Sequence, residues 1–238
     1  MTPPVLLEIS LVAMVGAALQ GSIGFGFGVF SVPIFLLIEP SLVPGPVLAT
    51  SVLLTVVMTH RERHAIHFPD LKWAIPGRIV GIAAALGVLV AIPAAHLSTL
   101  LGSLILLAVA LTASGLHVPP RPATLTLAGV FSGFMATIVS VGGPPIALLY
   151  QRESGARIRG TLSAYFVIGT SLSVIGLHFV HRFGTPEVLL AGALIPGTAL
   201  GYLVSRRIAP LLDRGYTRIV VLAVSGLMGA LVVLKQVL

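Results

Sequence analysis

Two glycine-rich breaks hold the residues best suited to chemistry: Gly21-Ser-Ile-Gly-Phe-Gly-Phe-Gly28, and the looser Ser140-Val-Gly-Gly-Pro-Pro145. Each interrupts an apolar segment about 30 residues long, so backbone that does not continue a helix falls in its middle. Glycine lets a chain turn and approach a ligand closely, and Pro144 and Pro145 suit the first turn of a new helix. One helix is therefore expected to start after Gly28 and another after Gly143. Unbonded N–H groups and the positive dipole ends at such starts make a site for a small anion. Glycines that only let helices pack tightly are the plainer alternative.

The candidate binding residues follow from the breaks. Gly24, Gly26, Gly28, Gly142 and Gly143 would present backbone. Gln20, Thr50, Ser51, Ser140, Thr161 and Ser163 lie beside the breaks or in the span after each, where amide and hydroxyl donors complete an oxyanion's shell. Ser and Thr also bond helix carbonyls or neighbouring helices, worth on average about 0.6 kcal/mol. Arg78, about six residues inside its apolar span, reads two ways. It meets an anion with its planar fork, or it snorkels to the interface.

Other chemistries fit less well. The glycine-x-glycine pattern lacks the strand–helix unit of a dinucleotide fingerprint, and a carbonyl-lined filter would need a matching second copy. His60, His64 and His67 fall at helical spacing but in a mixed-charge loop with no carboxylate cage, so no metal is expected; His178 and His181 suit an interface. The seven acids, Glu8, Glu39, Glu62, Asp70, Glu153, Glu187 and Asp213, lie in loops or near segment ends, which leaves no proton relay inside a span. With no cysteine, no paired intramembrane carboxylates and no dense histidine cluster, an enzyme is disfavoured, and no cofactor is expected.

The elements that position these residues follow from composition. Of 238 residues 56% are hydrophobic and 9% charged, against roughly 25% charged in soluble domains. The chain is an integral membrane protein. Its +7 formal charge sits in short loops between apolar spans, where basic residues set topology rather than recognise nucleic acid. The first basic residue is Arg61, and an N-terminus with no basic region argues against a cleaved signal peptide.

Spans are expected at Val47–Thr59, Leu71–Ile92, Leu97–Leu116, Gly160–Val180, Val188–Val204 and Tyr216–Leu234. The broken segments run Ile9–Gln20 with Val29–Ile38, and Thr124–Val139 with Ile146–Tyr150. Ile75-Pro-Gly-Arg-Ile-Val-Gly81 returns 120 positions later as Ile195-Pro-Gly-Thr-Ala-Leu-Gly201, and each half orders its features alike: break, Thr-bearing span, this motif. Two repeats, 1–120 and 121–238, are expected.

Charge decides how each break crosses. With single crossings the fourteen basic residues divide seven against seven. With re-entrant hairpins the loops 60–72, 117–122, 151–159 and 205–218, with Arg78, hold twelve of the fourteen, and only Arg182 and Lys235 lie opposite. Basic loops are cytoplasmic, so hairpins are favoured, with both termini outside. The expected fold is all-α: two inverted repeats, each a re-entrant hairpin plus three transmembrane helices, as in many transporters. The limbs flanking each break look too short to span.

These residues carry a family resemblance over nearly the whole chain. The glycine cluster followed by Val32-Pro33, the Ala49-Thr-Ser51 span, the basic loop before Ile75-Pro-Gly-Arg-Ile-Val-Gly81, Gly142-Gly-Pro-Pro145 and Ile195-Pro-Gly197 resemble the sulfite exporter TauE/SafE family of membrane permeases. Phe25 and Phe27 between the glycines and the Pro-Pro pair depart from the commoner pattern. The resemblance implies an inner-membrane exporter of sulfur-containing anions: sulfite, thiosulfate or sulfonates. The expected partners are a small anion and the lipid bilayer, with oligomerisation left open. An anion channel and a permease for non-sulfur carboxylates are the alternatives. Without an intramembrane acid, export is expected to run on the substrate gradient and the membrane potential.

Overall fold

The computed structural model describes residues 2–116, 118–150, 153 and 155–212, which form helices and the turns joining them. The expected span Tyr216–Leu234 lies outside the described residues. In chain order the helices are α1 (Pro3–Ile23), α2 (Phe27–Ile38), α3 (Gly45–Arg61), α4 (Phe68–Ala91), α5 (Ala94–Ala113), α6 (Pro122–Val139), α7 (Gly143–Ala147), α8 (Gly155–Phe179) and α9 (Thr185–Leu212). Six are long and apolar enough to cross a membrane: α1, α4, α5, α6, α8 and α9.

The breaks fall where expected, but their limbs are unequal. α1 has 21 residues and α6 has 18, about 31 and 27 Å at 1.5 Å per residue, each enough to span. Only the returning limbs are short, with 12 residues in α2 and five in α7. Glycine stays helical in an apolar setting, because the intrahelical bond is the one partner its N–H has there. Gly21, Ser22 and Ile23 therefore remain in α1, and the first break shrinks to Gly24–Gly26. The new helices start at Phe27 and Gly143, so the first starts one residue before Gly28 rather than after it.

Pairwise contacts give each helix its direction. Ser31 Oγ on α2 donates to the Val12 carbonyl on α1 at 3.3 Å, and a side chain at Gly16 would strike Phe27 and Ser31. Numbers rise on one helix as they fall on the other, so α1 and α2 form a hairpin. α9 runs parallel to α1: Gly197 faces the Ser10 carbonyl and Gly201 the Met14 carbonyl. α3 starts beside them, with Gly45 against Phe183 and Glu187, and ends where Arg61 reaches the Gly21 carbonyl and Ser205 Oγ.

α4, α6 and α8 run the other way. The His67 N–H, just before α4, donates to Thr161 Oγ1 near the start of α8 at 3.0 Å. At the far end Arg182 donates to the Leu89 carbonyl at 3.3 Å. α7 leads back to Tyr150, whose hydroxyl donates to Asp70 Oδ2 at 2.8 Å. The α1–α2 and α6–α7 hairpins thus enter from opposite ends of the bundle. One end carries Arg61, Arg63, Lys72, Arg121, Arg157, Arg159, Arg206 and Arg207, and the other carries Arg182 among the described residues.

The tightest pairings cross between the halves: α1 on α9, and α6 on α4. The Ile-Pro-Gly motifs explain them. Gly77 and Gly81 on α4 lie against the Thr126 and Val130 carbonyls on α6, and Gly129 and Gly133 on α6 lie against the Ala74 and Arg78 carbonyls on α4. Any Cβ at these positions would occupy the space of the facing carbonyl. Small residues four apart let two backbones touch, the packing that membrane helices use in place of a hydrophobic drive. α3 and α8 pack together between these pairs.

Candidate anion-binding site

The two breaks meet inside the bundle. Gly24 and Gly26 have φ of 95° and 129°, conformations that only glycine adopts without strain. Gln20 Oε1 accepts the Phe27 N–H at 3.1 Å, pinning the first turn of α2 back onto α1. That leaves the amides of Gly28 and Val29 without an intrahelical acceptor, since the first bond of α2 is Phe30 N–H to the Gly26 carbonyl. Gly28 lies against the Ser140 carbonyl, and Gly143 against the Phe25 side chain at 3.0 Å from a built Cβ. Ser140 ends α6 with φ 59°, and its Oγ donates to the Pro44 carbonyl at 2.9 Å. In α7 the two prolines remove two N–H groups, so Gly143 supplies the one amide of the first three residues.

Arg78 is the charge at this meeting point. It is 1% exposed and ten residues into α4, about 15 Å along the helix. The snorkelling alternative is therefore wrong: the side chain runs inward. Nη1 donates to Ser132 Oγ at 3.0 Å and Nη2 to Thr170 Oγ1 at 3.3 Å, while Nε has no partner. Ser132 passes the connection to the second break, its Oγ donating to the Gly142 carbonyl at 2.6 Å. The Tyr165 and Phe166 rings flank the guanidinium, 4.7 and 5.4 Å from Cζ. On α8, Gly169 makes the room, since a Cβ there would overlap Arg78 Nε.

No carboxylate pairs with Arg78 among the described residues. Burying a charge without a counter-charge is costly, and hydroxyls and aromatic faces offset only part of that cost. An anion would complete the set.

A cavity of about 30 Å³ opens beside the guanidinium, room for about two water-sized groups at ~10–15 Å³ each. Gln20, Gly26, Gly28, Ser51, Arg78, Ser140, Gly142 and Gly143 line it. The other four candidates lie elsewhere. Gly24 rests on Ile158 and the Arg159 backbone. Thr50 Oγ1 donates to the Pro46 carbonyl at 2.9 Å and the Ala191 carbonyl at 3.3 Å. Thr161 Oγ1 accepts the His67 N–H, and Ser163 Oγ donates to the Arg159 carbonyl at 2.5 Å. Their polar atoms serve the backbone, the plainer use of Ser and Thr.

The lining also holds residues that the pattern of the sequence did not single out: Phe25, Thr55, Phe166 and Thr170. With Ser132 behind Arg78, they come from the first break and from three helices, α3, α6 and α8. Only Gly129 and Gly133, flanking Ser132 at small-residue spacing, could have signalled a close helix contact there.

The basic end holds two further polar groups. Asp70 accepts from the Tyr150 hydroxyl at 2.8 Å and lies 2.9 Å from His67 Nδ1. Burial, and after it the hydrogen bond and charge of Asp70, push the Tyr150 hydroxyl well above its ordinary value, so it remains a donor. Glu62 Oε1 accepts from Arg61 Nε at 3.0 Å and Arg159 Nε at 2.9 Å.

Comparison with curated proteins and with solved structures finds no match. The sulfite exporter TauE/SafE family matches residues 9–232, which takes in both breaks, Arg78 and both Ile-Pro-Gly motifs. The match takes in the buried guanidinium and both broken helices, and covers nearly the whole chain: the chain belongs to the sulfite exporter TauE/SafE family of membrane transporters.

Proposed function

We propose that this chain exports a compact sulfur oxyanion, sulfite or thiosulfate in preference to larger sulfonates or dicarboxylates, by alternating access across the inner membrane. The observation that carries this reading is Arg78, buried at 1% exposure and without a carboxylate partner among the described residues. The anion would sit in the adjoining cavity, where the Gly28, Val29 and Gly143 amides and the Ser51 and Gln20 side chains add donors. So small a cavity, with Phe25 and Phe166 in its wall, would have to widen less for a compact oxyanion than for a long carboxylate.

The two halves, 1–120 and 121–238, act as an inverted repeat, with the basic end cytoplasmic and both termini outside. Contact between the tips at Gly28 and Ser140 supports a carrier over a channel. Export runs as uniport on the substrate gradient and the potential. The test is sulfite efflux from proteoliposomes: Arg78→Gln abolishes it while the variant still folds. Efflux equal to that of the native chain would place the site elsewhere, and single-channel currents would favour the channel.

A further inference from the structure

The turn between α3 and α4 puts one carboxylate between two guanidiniums. Glu62 Oε1 accepts from Arg61 Nε at 3.0 Å and from Arg159 Nε at 2.9 Å. Arg159 is 4% exposed, and its Nη1 also donates to the Ser22 carbonyl at 3.3 Å. Arg61 reaches the Gly21 carbonyl and, at 3.3 Å, Ser205 Oγ, with its guanidinium 5.3 Å from the centre of the Tyr202 ring. The ends of α1 and α3, the start of α8 and the body of α9 are thereby drawn to one oxygen.

The cluster lies at the basic end, next to the first break. Gly24 of the first break rests on Ile158 and the Arg159 backbone, whereas Phe25 and Gly26, the next two residues, line the cavity. Through Gly24 the three linked side chains are joined to the break that lines the cavity.

Two converging guanidiniums are an oxyanion receptor, and here the occupant is the chain's own. Glu62 stands in the turn after α3, outside any α-helix, where a change of side-chain rotamer would withdraw its carboxylate. Withdrawal alone would remove a carboxylate that both guanidiniums share, which is unfavourable for buried charges. Exchange for another oxyanion avoids that cost, because a counter-charge is present before and after. Opening is then coupled to the arrival of an anion.

We propose that Arg61 and Arg159 form a second oxyanion station at the basic end, closed in this structure by Glu62, and that substrate reaches the Arg78 cavity by displacing that carboxylate. This rests on the reading of the chain as an anion transporter, but the station has its own signature.

Calorimetric titration of the full chain in detergent with sulfite provides it. The native chain is expected to bind one sulfite, Glu62→Gln two, and the Glu62→Gln/Arg159→Gln chain one. An Arg78→Gln/Glu62→Gln chain keeps one site. If the native chain bound none and Glu62→Gln one, the Arg78 reading would fall and the station would stand. If Glu62→Gln added no site, or the added site survived Arg159→Gln, the station would be overturned.

A second measurement leaves Glu62 in place, in case its removal weakens the fold. Ser51→Cys lines the cavity in a chain with no other cysteine and reports entry from the basic end by an impermeant maleimide. Methanesulfonate, which does not consume the reagent, should speed labelling severalfold in this background and have no effect when Arg61→Gln is added. Labelling that methanesulfonate does not change overturns the proposal.

Discussion

Arg78 brings five donors to a place where no carboxylate of the described residues receives them, and that imbalance separates its contribution to stability from its expected contribution to flux. Removing an uncompensated buried charge should not weaken the fold. Arg78→Met is therefore expected to unfold no lower than the native chain in a thermal scan, yet to lose sulfite efflux. Arg78→Lys keeps the charge and loses the fork; with hydrogen bonds to charged groups worth about 1.5–3 kcal/mol, efflux should fall about tenfold or more. Tyr150 offers a pH test at the same scale. Its hydroxyl is held above its ordinary value of about 10, so the stability it adds is complete below that pH and is lost as pH rises past it. Native and Tyr150→Phe chains should show a constant difference in thermal midpoint through the neutral range that shrinks above about pH 10. Sequence placed Arg78 inside a span but could not decide which way it points. The deciding residues, Ser132, Gly169 and Thr170, are 54 to 92 positions away, and no local spacing connects them to it.

The helices are held by backbone contact, and glycines on one helix should separate packing from propensity. On α4 a Cβ at Gly77 would overlap the Thr126 carbonyl, while nothing lies within 4 Å of one at Gly87. Gly77→Ala should force α4 from α6 and lower the thermal midpoint. Gly87→Ala should raise it, since alanine gains up to about 1 kcal/mol in a helix. At the breaks, Gly28→Ala would drive the two tips apart at the Ser140 carbonyl and cut efflux more than it cuts stability. A Gly28→Ala chain with native efflux would show that the tips need not touch. The hairpins were legible because basic residues tend to gather on one side of a membrane, a bias that can be counted along the whole chain. Limb length was not, because hydrogen bonding in an apolar medium carries a helix through Gly21 and up to Ile23, against the propensity that marks glycine as a breaker.

Across the whole molecule the hairpins open to opposite ends, so exposed residues at each end report topology. His64 lies on the turn at the basic end, and Ser41 and Ser98 are exposed toward the other. Cysteines at these positions should label from opposite sides of the membrane, His64→Cys from the cytoplasm; Ser41→Cys labelled from the cytoplasm would break the proposed inverted arrangement. The same arrangement bears on energy supply. On the proposed carrier reading, Arg78 supplies a group for the anion, while among the described residues the acids lie near the helix ends, away from where a coupled proton would cross. Moving one charge through 100 mV is worth about 2.3 kcal/mol, nearly a fiftyfold ratio at equilibrium, ample to favour anion exit from a negative interior. In proteoliposomes with a fixed sulfite gradient, clamping the potential at zero should therefore slow efflux, and making the interior negative should speed it. A pH gradient at clamped potential should change efflux only as far as it changes the charge on sulfite. Efflux that ignored voltage and followed the pH gradient for thiosulfate, whose charge is constant near neutrality, would overturn uniport and require a proton path.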